Sequence, residues 1–308
     1  MKAFWNLLRP FTLVAPIIGI VSGVVLALGV EAAPLSKMGT DLAVPLIWVI
    51  LSAACLNNGS NLLNQVTDLE IDRVNKPDRP LVTGAISVNS AMKWSILFYL
   101  LALVFAWLGS TRADCAPFWI VTAGLVLTLA YSVPPIRTKK HGTLANVTIA
   151  LARGCLLPVC GWAVALPPDQ PAPWAFGGVC GMFIFGAAAT KDFADAEGDA
   201  LHGCETWVVK YGATQARNLV APFLFFPWIL MGLLWGFLPQ MNPNGNLNWT
   251  YAAVICFLLT VYGFWISRLM GVDSKNPGIE NNHRSWLHIY LLYQMALFGI
   301  PLSYHFSS

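Results

Sequence analysis

Charge is what this sequence has least of. Of its 308 residues 11% are charged and 56% hydrophobic, with a mean hydropathy of +0.61. Soluble domains carry roughly 25% charged residues, so a water-solvated fold is excluded and lipid is the solvent for most of the chain. The few basic residues lie in short loops, with no basic face and no RNA-binding motif, which leaves nucleic acid out as a partner. C-x-x-C pairs are missing as well. The cysteines at 55, 115, 155, 160, 180, 204 and 256 are scattered, most of them in apolar runs, and read as small buried thiols, not as zinc or redox ligands. No soluble linker, low-complexity tract or clear short repeat divides the chain, and no small-residue cleavage site follows its first apolar run. One integral membrane domain over residues 1–308, without a cleaved leader, is the expectation.

What is present is a series of apolar runs close to the ~20 residues that a membrane-crossing helix needs. They fall near 11–30, 43–63, 94–110, 117–133, 144–166, 174–191, 219–238, 249–267 and 286–304. The fold class is therefore all-α, a polytopic bundle of about nine transmembrane helices. The fifth run contains Arg153 and Pro158, where a kink or break is expected. Gly19/Gly23 and Gly177/Gly181, each four apart, suit close helix packing in lipid. Trp162, Trp174, Trp228 and Trp249 read as membrane-interface residues.

An odd number of crossings puts the termini on opposite sides. Fifteen lysines and arginines then fall on the N-terminal side, only Lys37 and Arg112 fall opposite, and Arg153 lies within a run. Cytoplasmic loops carry the excess of basic residues, so the N-terminus and the even-numbered loops face the cytoplasm. The opposite loops are plain, "LPPDQPAPW" at 166–174 and "PQMNPNGNLNW" at 239–249. The chemistry belongs on the cytoplasmic face.

Two acidic motifs stand there. In "NQVTDLEIDRVNKPDRPL", Asn64, Asp68 and Asp72 recur every fourth residue, so they step by only about 40° around a helix and form one ridge, while Glu70 points elsewhere. Asn57, Asn58, Ser60 and Asn61 make the preceding turns polar for a span, which suits a bundle interior or wet cavity. In "KDFADAEGD", Asp192, Asp195 and Asp199 share a face and Glu197 turns away, although Gly198 could end the helix before Asp199. Two facing carboxylate ridges would repel and raise one another's pKa; a divalent cation removes that conflict. With no His or Cys at zinc spacing, oxygen ligands point to a hard ion. Mg²⁺ takes one or two carboxylates together with waters and substrate phosphates, so a metal-bridged polyphosphate is the fitting ligand. A solvated charge cluster at helix ends is the plainer alternative.

N-x-x-x-D-x-x-x-D at Asn64–Asp72, the "NKPDRPL" after it, and D-x-x-x-D at Asp195–Asp199 resemble the two signatures of the UbiA superfamily of intramembrane prenyltransferases. The resemblance extends over the whole chain through the nine runs, "LRP" at 8–10 and "YSVPPIRTKKHG" at 131–142. Within it, the two acidic motifs are most similar to the homogentisate prenyltransferase branch, while "RPLVTGAIS" and "YSVPPIRTKKHG" also resemble the glycerophosphate-lipid, chlorophyll and haem branches. The resemblance implies a central cavity open to the bilayer, capped on the cytoplasmic side by Asn64, Asp68, Asp72, Asp192, Asp195 and Asp199 as Mg²⁺ ligands. It implies transfer of an isoprenoid chain from a prenyl diphosphate, such as geranylgeranyl or phytyl diphosphate, to a small lipophilic acceptor, with loss of pyrophosphate. Homogentisate-type aromatics lead as acceptor; a glycerophosphate lipid or chlorophyllide is the alternative.

Arg137, Lys139 and Lys140 form the densest basic cluster and, by family position, supply at least one diphosphate contact; Lys140 serves equally as a topology signal. Lys191 either binds phosphate or offsets its neighbouring carboxylates. Arg79 and Arg73 flank the first motif as further candidates. Asn61, Tyr131, Asn146 and Arg153 are assigned to the substrate cavity, Tyr131 as a cation-stabilising aromatic. Arg153, a guanidinium inside a span, recognises an anionic acceptor, holds a second phosphate or pairs structurally with a motif carboxylate. His283 and Arg284 either gate the acceptor or mark the interface. A transporter and a non-catalytic lipid-binding scaffold are the competing classes. The first lacks paired broken helices, and the second has no need of two carboxylate ridges.

Overall fold

In hydrocarbon every backbone N–H and C=O must be paired within the chain, and an apolar run meets that demand as a helix. The structure is a computed structural model that describes residues 2–273 and 284–306. Among these it is helical with no strand. The helices are α1 (Lys2–Leu8), α2 (Val14–Val30), α3 (Ala43–Thr67), α4 (Leu69–Asn75), α5 (Val88–Gly109), α6 (Ala116–Ser132), α7 (Gly142–Ile149), α8 (Leu156–Ala165), α9 (Pro171–Ala188), α10 (Asp192–Leu201), α11 (Trp207–Phe237), α12 (Trp249–Asp273) and α13 (Arg284–Leu302). His283 and the side chain of Arg284 lie outside the described residues.

Each of the nine apolar runs is helical. Seven helical segments among the described residues are long and apolar enough to cross a membrane. Helix α6 is apolar but has 17 residues, and α13 is not among the seven, so that measure does not confirm the count of nine.

The fifth run breaks where Arg153 and Pro158 suggested. Between α7 and α8 the residues Ala150–Cys155 form a π-helical turn. Pro158 cannot donate to the Gly154 carbonyl, which leaves the ladder open at that point. The widened turn is seated on α9 by glycine: a Cβ on Gly154 would lie 2.5 Å from Gly181 Cα, and one on Gly177 would lie 2.8 Å from the Cys155 carbonyl oxygen.

The two larger apolar clusters join the helices of the bundle. One joins α2 to α9, α11, α12 and α13 around Phe176, Phe183 and Trp228; the other joins α2 to α3, α5, α6 and α8 around Ile20, Val24 and Val49. Trp162 and Trp228 are fully buried in the first cluster and are not interface residues, whereas Trp174 and Trp249 are exposed. The reason is that the buried indoles find their acceptors inside the protein. Trp162 Nε1 donates to the Pro167 carbonyl and Trp228 Nε1 to the Leu224 carbonyl, both at 3.0 Å. All seven cysteines are free and most are buried, as the sequence implied.

Candidate active site

The first acidic ridge straddles a break. Asp68 closes α3 and opens α4 with φ −100° and ψ 12°. The ladder nevertheless runs through, because Asp68 N–H donates to the Asn64 carbonyl at 2.9 Å and Asp72 N–H to the Asp68 carbonyl at 2.8 Å. Asn64, Asp68 and Asp72 therefore stay on one side and line one cavity. Asp68 and Asp72 are buried, while Glu70 is 61% exposed and pairs with Arg73. The second ridge forms on α10, which passes through Gly198 and ends at Leu201, so that Asp192, Asp195 and Asp199 are all helical. All three line the same cavity, whose volume is about 420 Å³.

Three of the ridge carboxylates, Asp68, Asp72 and Asp195, are paired with cations from other elements. Lys139 Nζ sits 2.5 Å from Asp68 Oδ2, and Arg137 reaches the other oxygen at 3.2 Å while also donating to the Thr67 carbonyl at 2.8 Å. Arg79 pairs with Asp72, and Lys76 Nζ lies 2.5 Å from Asp195 Oδ1. Lys191 donates to the Tyr131 hydroxyl at 2.7 Å and sits 5.2 Å from its ring centroid. Burial works to lower the Lys139 pKa, but Asp68 and Tyr131 raise it further, so the ammonium is held charged. Burial raises the Asp72 carboxyl above its ordinary value by more than Arg79 lowers it.

Of the cations expected at the diphosphate, Lys139 and Lys191 line the cavity, and so does Arg79. Arg137 and Lys140 do not. Arg137 is spent holding Asp68 and Thr67, and the Lys140 segment is tied to the loop after α10 by its carbonyl, which accepts from Glu205 N–H at 2.9 Å. Arg73 is 59% exposed, paired with Glu70.

Asn61, Tyr131 and Arg153 also line the cavity. Asn146 does not; it is buried elsewhere in α7. Asn146 stands seven residues before Arg153, a separation that an unbroken 3.6-residue period places within about 20° of one face, and the intervening π turn, with its i→i+5 ladder, shifts that register. Arg153 Nη2 is 3.5 Å from Asn61 Oδ1, and its carbonyl accepts from the Tyr293 hydroxyl at 3.3 Å. Among the described residues it forms no ion pair with a motif carboxylate.

Several cavity residues escaped the sequence. Arg9, at φ 53°, brings a third guanidinium into the wall together with Arg79 and Arg153. Thr12 Oγ1 accepts from Asn57 and Asn61 at 2.9 and 2.8 Å and donates to the Arg9 carbonyl at 2.9 Å, which explains the polar turns of α3. Lys76 enters from the "NKPDRPL" segment, and Tyr290 and Tyr293 enter from α13. The only sequence signals for Arg9 and Lys76 were the short "LRP" and "NKP" strings, since neither belongs to a periodic pattern.

Among the described residues no three acidic, histidine or cysteine side chains converge on one point as a closed metal cage. The pairing above contributes to this, because Asp68, Asp72 and Asp195 are each turned towards a cation. The donor set still fits Mg²⁺ shared with phosphate, which needs only one or two carboxylates. Asn64 Oδ1 and Asp199 Oδ1 are buried oxygens in the cavity wall without a hydrogen-bond partner among the described residues. Such orphaned acceptors cost about 1–3 kcal/mol each unless something binds them.

The profile of the UbiA prenyltransferase family matches residues 8–277. The homogentisate phytyltransferase of Synechocystis sp. is 27% identical over 312 residues, spanning 96% of this chain and 96% of that protein. The digeranylgeranylglyceryl phosphate synthase of Methanobrevibacter smithii is 23% identical over 303 residues, spanning 97% and 99%. A solved UbiA homologue from Archaeoglobus fulgidus bound to GPP and Mg²⁺ has a TM-score of 0.68 at 18% identity, covering 97% of this chain and 99% of that one. At that identity the likeness is one of fold.

Proposed function

Because the chain belongs to the UbiA prenyltransferase family, and is thereby a multi-pass membrane prenyltransferase, we propose that it moves a geranylgeranyl or phytyl chain from its diphosphate onto a homogentisate-type aromatic acid. The observation that carries this reading is the single cavity of about 420 Å³ with two buried carboxylate ridges, a set of cations and an apolar wall. The transporter and scaffold readings fall away with the family.

In this reading Asn64, Asp68 and Asp72 on one wall and Asp192, Asp195 and Asp199 on the other hold Mg²⁺ against the diphosphate. When bound, Mg²⁺ acts as a Lewis acid that makes pyrophosphate a competent leaving group. Lys76, Arg79, Lys139 and Lys191 already lie in the same wall. Lys76, Arg79 and Lys139 exchange carboxylate partners, and Lys191 its Tyr131 hydroxyl, for phosphate oxygens, so that the charge of the leaving group is met by fixed cations. The C1–O bond of the donor breaks, pyrophosphate leaves, and C1 bonds to an electron-rich ring carbon that then loses its proton. Leu127, Leu157, Phe183 and Ile184 keep water from the allylic cation, and Tyr131 offers it a π face.

The acceptor's anionic group lies with Arg9 and Arg153. Both line the cavity, and Arg153 has no carboxylate partner among the described residues. A phosphate would suit the same pair, so a glycerophosphate-lipid acceptor is the second reading. The active-site face, with the N-terminus, is assigned to the cytoplasm by the basic-residue bias.

Purified protein is incubated with geranylgeranyl or phytyl diphosphate and, separately, homogentisate, geranylgeranylglyceryl phosphate or chlorophyllide. Products are read by mass and pyrophosphate is assayed. A prenylated homogentisate that forms with Mg²⁺ and not in EDTA is the expected result. Product from the glycerophosphate alone selects the second reading, and no product from any acceptor overturns both.

A further inference from the structure

The two acidic ridges come from segments more than a hundred residues apart, yet one side chain holds their backbones together. Asn75, the last residue of α4, donates from Nδ2 to the Asp195 carbonyl at 2.9 Å, and its Oδ1 accepts from Gly198 N–H at 2.8 Å. The carboxamide thus bridges a carbonyl and an amide of α10, and turning it over would set donor against donor. Gly198 is shaped for this neighbour. A Cβ there would lie 2.5 Å from Asn75 Oδ1 and 2.6 Å from both Cγ and Nδ2. The next residue, Lys76, reaches the Asp195 carboxylate from the same turn. No charge is placed on the contact itself, so its geometry persists when Lys76 and the carboxylates change partners.

We infer that Asn75 and Gly198 form a latch that sets the separation of the two carboxylate ridges, making Asn75 a positioning residue for the shared diphosphate–metal site. Resting on the metal-bridged reading above, the latch adds to the Lys76–Asp195 pair an uncharged contact that keeps α4 and α10 together when that pair is exchanged. It also assigns the glycine inside α10, a position where helix propensity favours almost any other residue. Metal affinity depends steeply on such supporting contacts, and removing one typically costs about 10- to 100-fold.

The test compares wild type with Asn75→Ala, Asn75→Gln, Gly198→Ala and the Asn75→Ala/Gly198→Ala pair, all full-length in detergent. Calorimetry measures Mg²⁺-dependent binding of geranylgeranyl thiodiphosphate, an unreactive donor analogue; Tm and acceptor KM are measured beside it. Asn75→Gln keeps the amide but is one methylene too long, so both Asn75 variants are expected to weaken Mg²⁺-dependent binding by about 10- to 100-fold with acceptor KM unchanged. The double variant is expected to bind no worse than the poorer single variant, because the methyl added by Gly198→Ala enters space the carboxamide has left. Coupling of that kind is what a double-mutant cycle detects between touching residues.

Wild-type binding in folded Asn75→Ala and Asn75→Gln overturns the latch. So does a double variant whose losses multiply, or a loss shared by acceptor and donor that follows a fall in Tm. If Gly198→Ala does not fold, the two Asn75 variants decide alone. If wild type itself binds the analogue without Mg²⁺, the metal-bridged reading falls and the latch with it.

Discussion

At the residue scale the carboxylates divide sharply by what surrounds them. Asp68, Asp72 and Asp199 are buried in the cavity wall, Asp195 is held there by Lys76, and Glu70 faces solvent against Arg73. Changing any one of Asp68, Asp72, Asp195 or Asp199 to Ala is expected to cost about 10²–10³ in turnover, the usual loss when one element of leaving-group stabilisation is removed. Glu70→Ala removes an exposed pair worth about 0–1 kcal/mol and should leave turnover intact. Steady-state kinetics on folded, purified variants separate the two cases, and a Glu70 variant as impaired as Asp72→Ala would break the ridge assignment. Arg153 makes a second test. Its lack of an ion pair among the described residues predicts that Arg153→Leu lowers acceptor kcat/KM by about 10- to 100-fold, the worth of one charged hydrogen bond, while donor KM and Tm hold. Lys should restore only part of the loss, since a point charge lacks the planar fork of guanidinium. A lower Tm with both substrates equally affected would assign Arg153 to structure instead.

At the scale of elements, irregular helix does the positioning. The break at Asp68 leaves the i−4 ladder intact and so preserves the ridge, whereas the π turn at Ala150–Cys155 removes Asn146 from the face that carries Arg153. That turn depends on close approach to α9, and two adjacent glycines there make opposite predictions. A Cβ on Gly177 meets the Cys155 carbonyl oxygen at 2.8 Å, and one on Gly178 meets nothing within 4 Å. Gly177→Ala is expected to destabilise by about 1–3 kcal/mol, as overpacking does, and to impair the acceptor step through Arg153. Gly178→Ala should be neutral or stabilise by about 0.5–1 kcal/mol, the propensity gain of Ala over Gly in a helix. Thermal melts in detergent check both, and equal shifts for the two variants would contradict the packing described.

At the scale of the whole molecule, the bundle supplies a cavity with an apolar wall beside a charged cap. Nine crossings, the number of apolar runs in the sequence, and the basic-residue bias together predict an N-terminus in the cytoplasm and a C-terminus on the opposite side. Reporters sensitive to compartment, fused separately to each end, should give opposite signals. Like signals would remove one crossing, and α6, an apolar helix of only 17 residues, is the first to re-examine.

Composition and periodicity determined the membrane class, the positions of the helices, both acidic ridges and the direction in which Glu70 points. Each of these depends on neighbours within a few turns, where 3.6-residue spacing suffices. Tertiary structure alone decided the partners across the cavity. Nothing in the spacing of Arg137 says that it holds Asp68, nor does a lone Arg9 or Lys76 announce a place in the wall. Trp162 and Trp228 are buried because carbonyls of their own bundle satisfy the indole N–H, a fact about packing that hydropathy does not carry. Asn75 meets Gly198 only after α3 and α9 have brought α4 and α10 to one end of the bundle. Contacts between segments more than a hundred residues apart are set by how helices pack, and a local pattern holds no record of that.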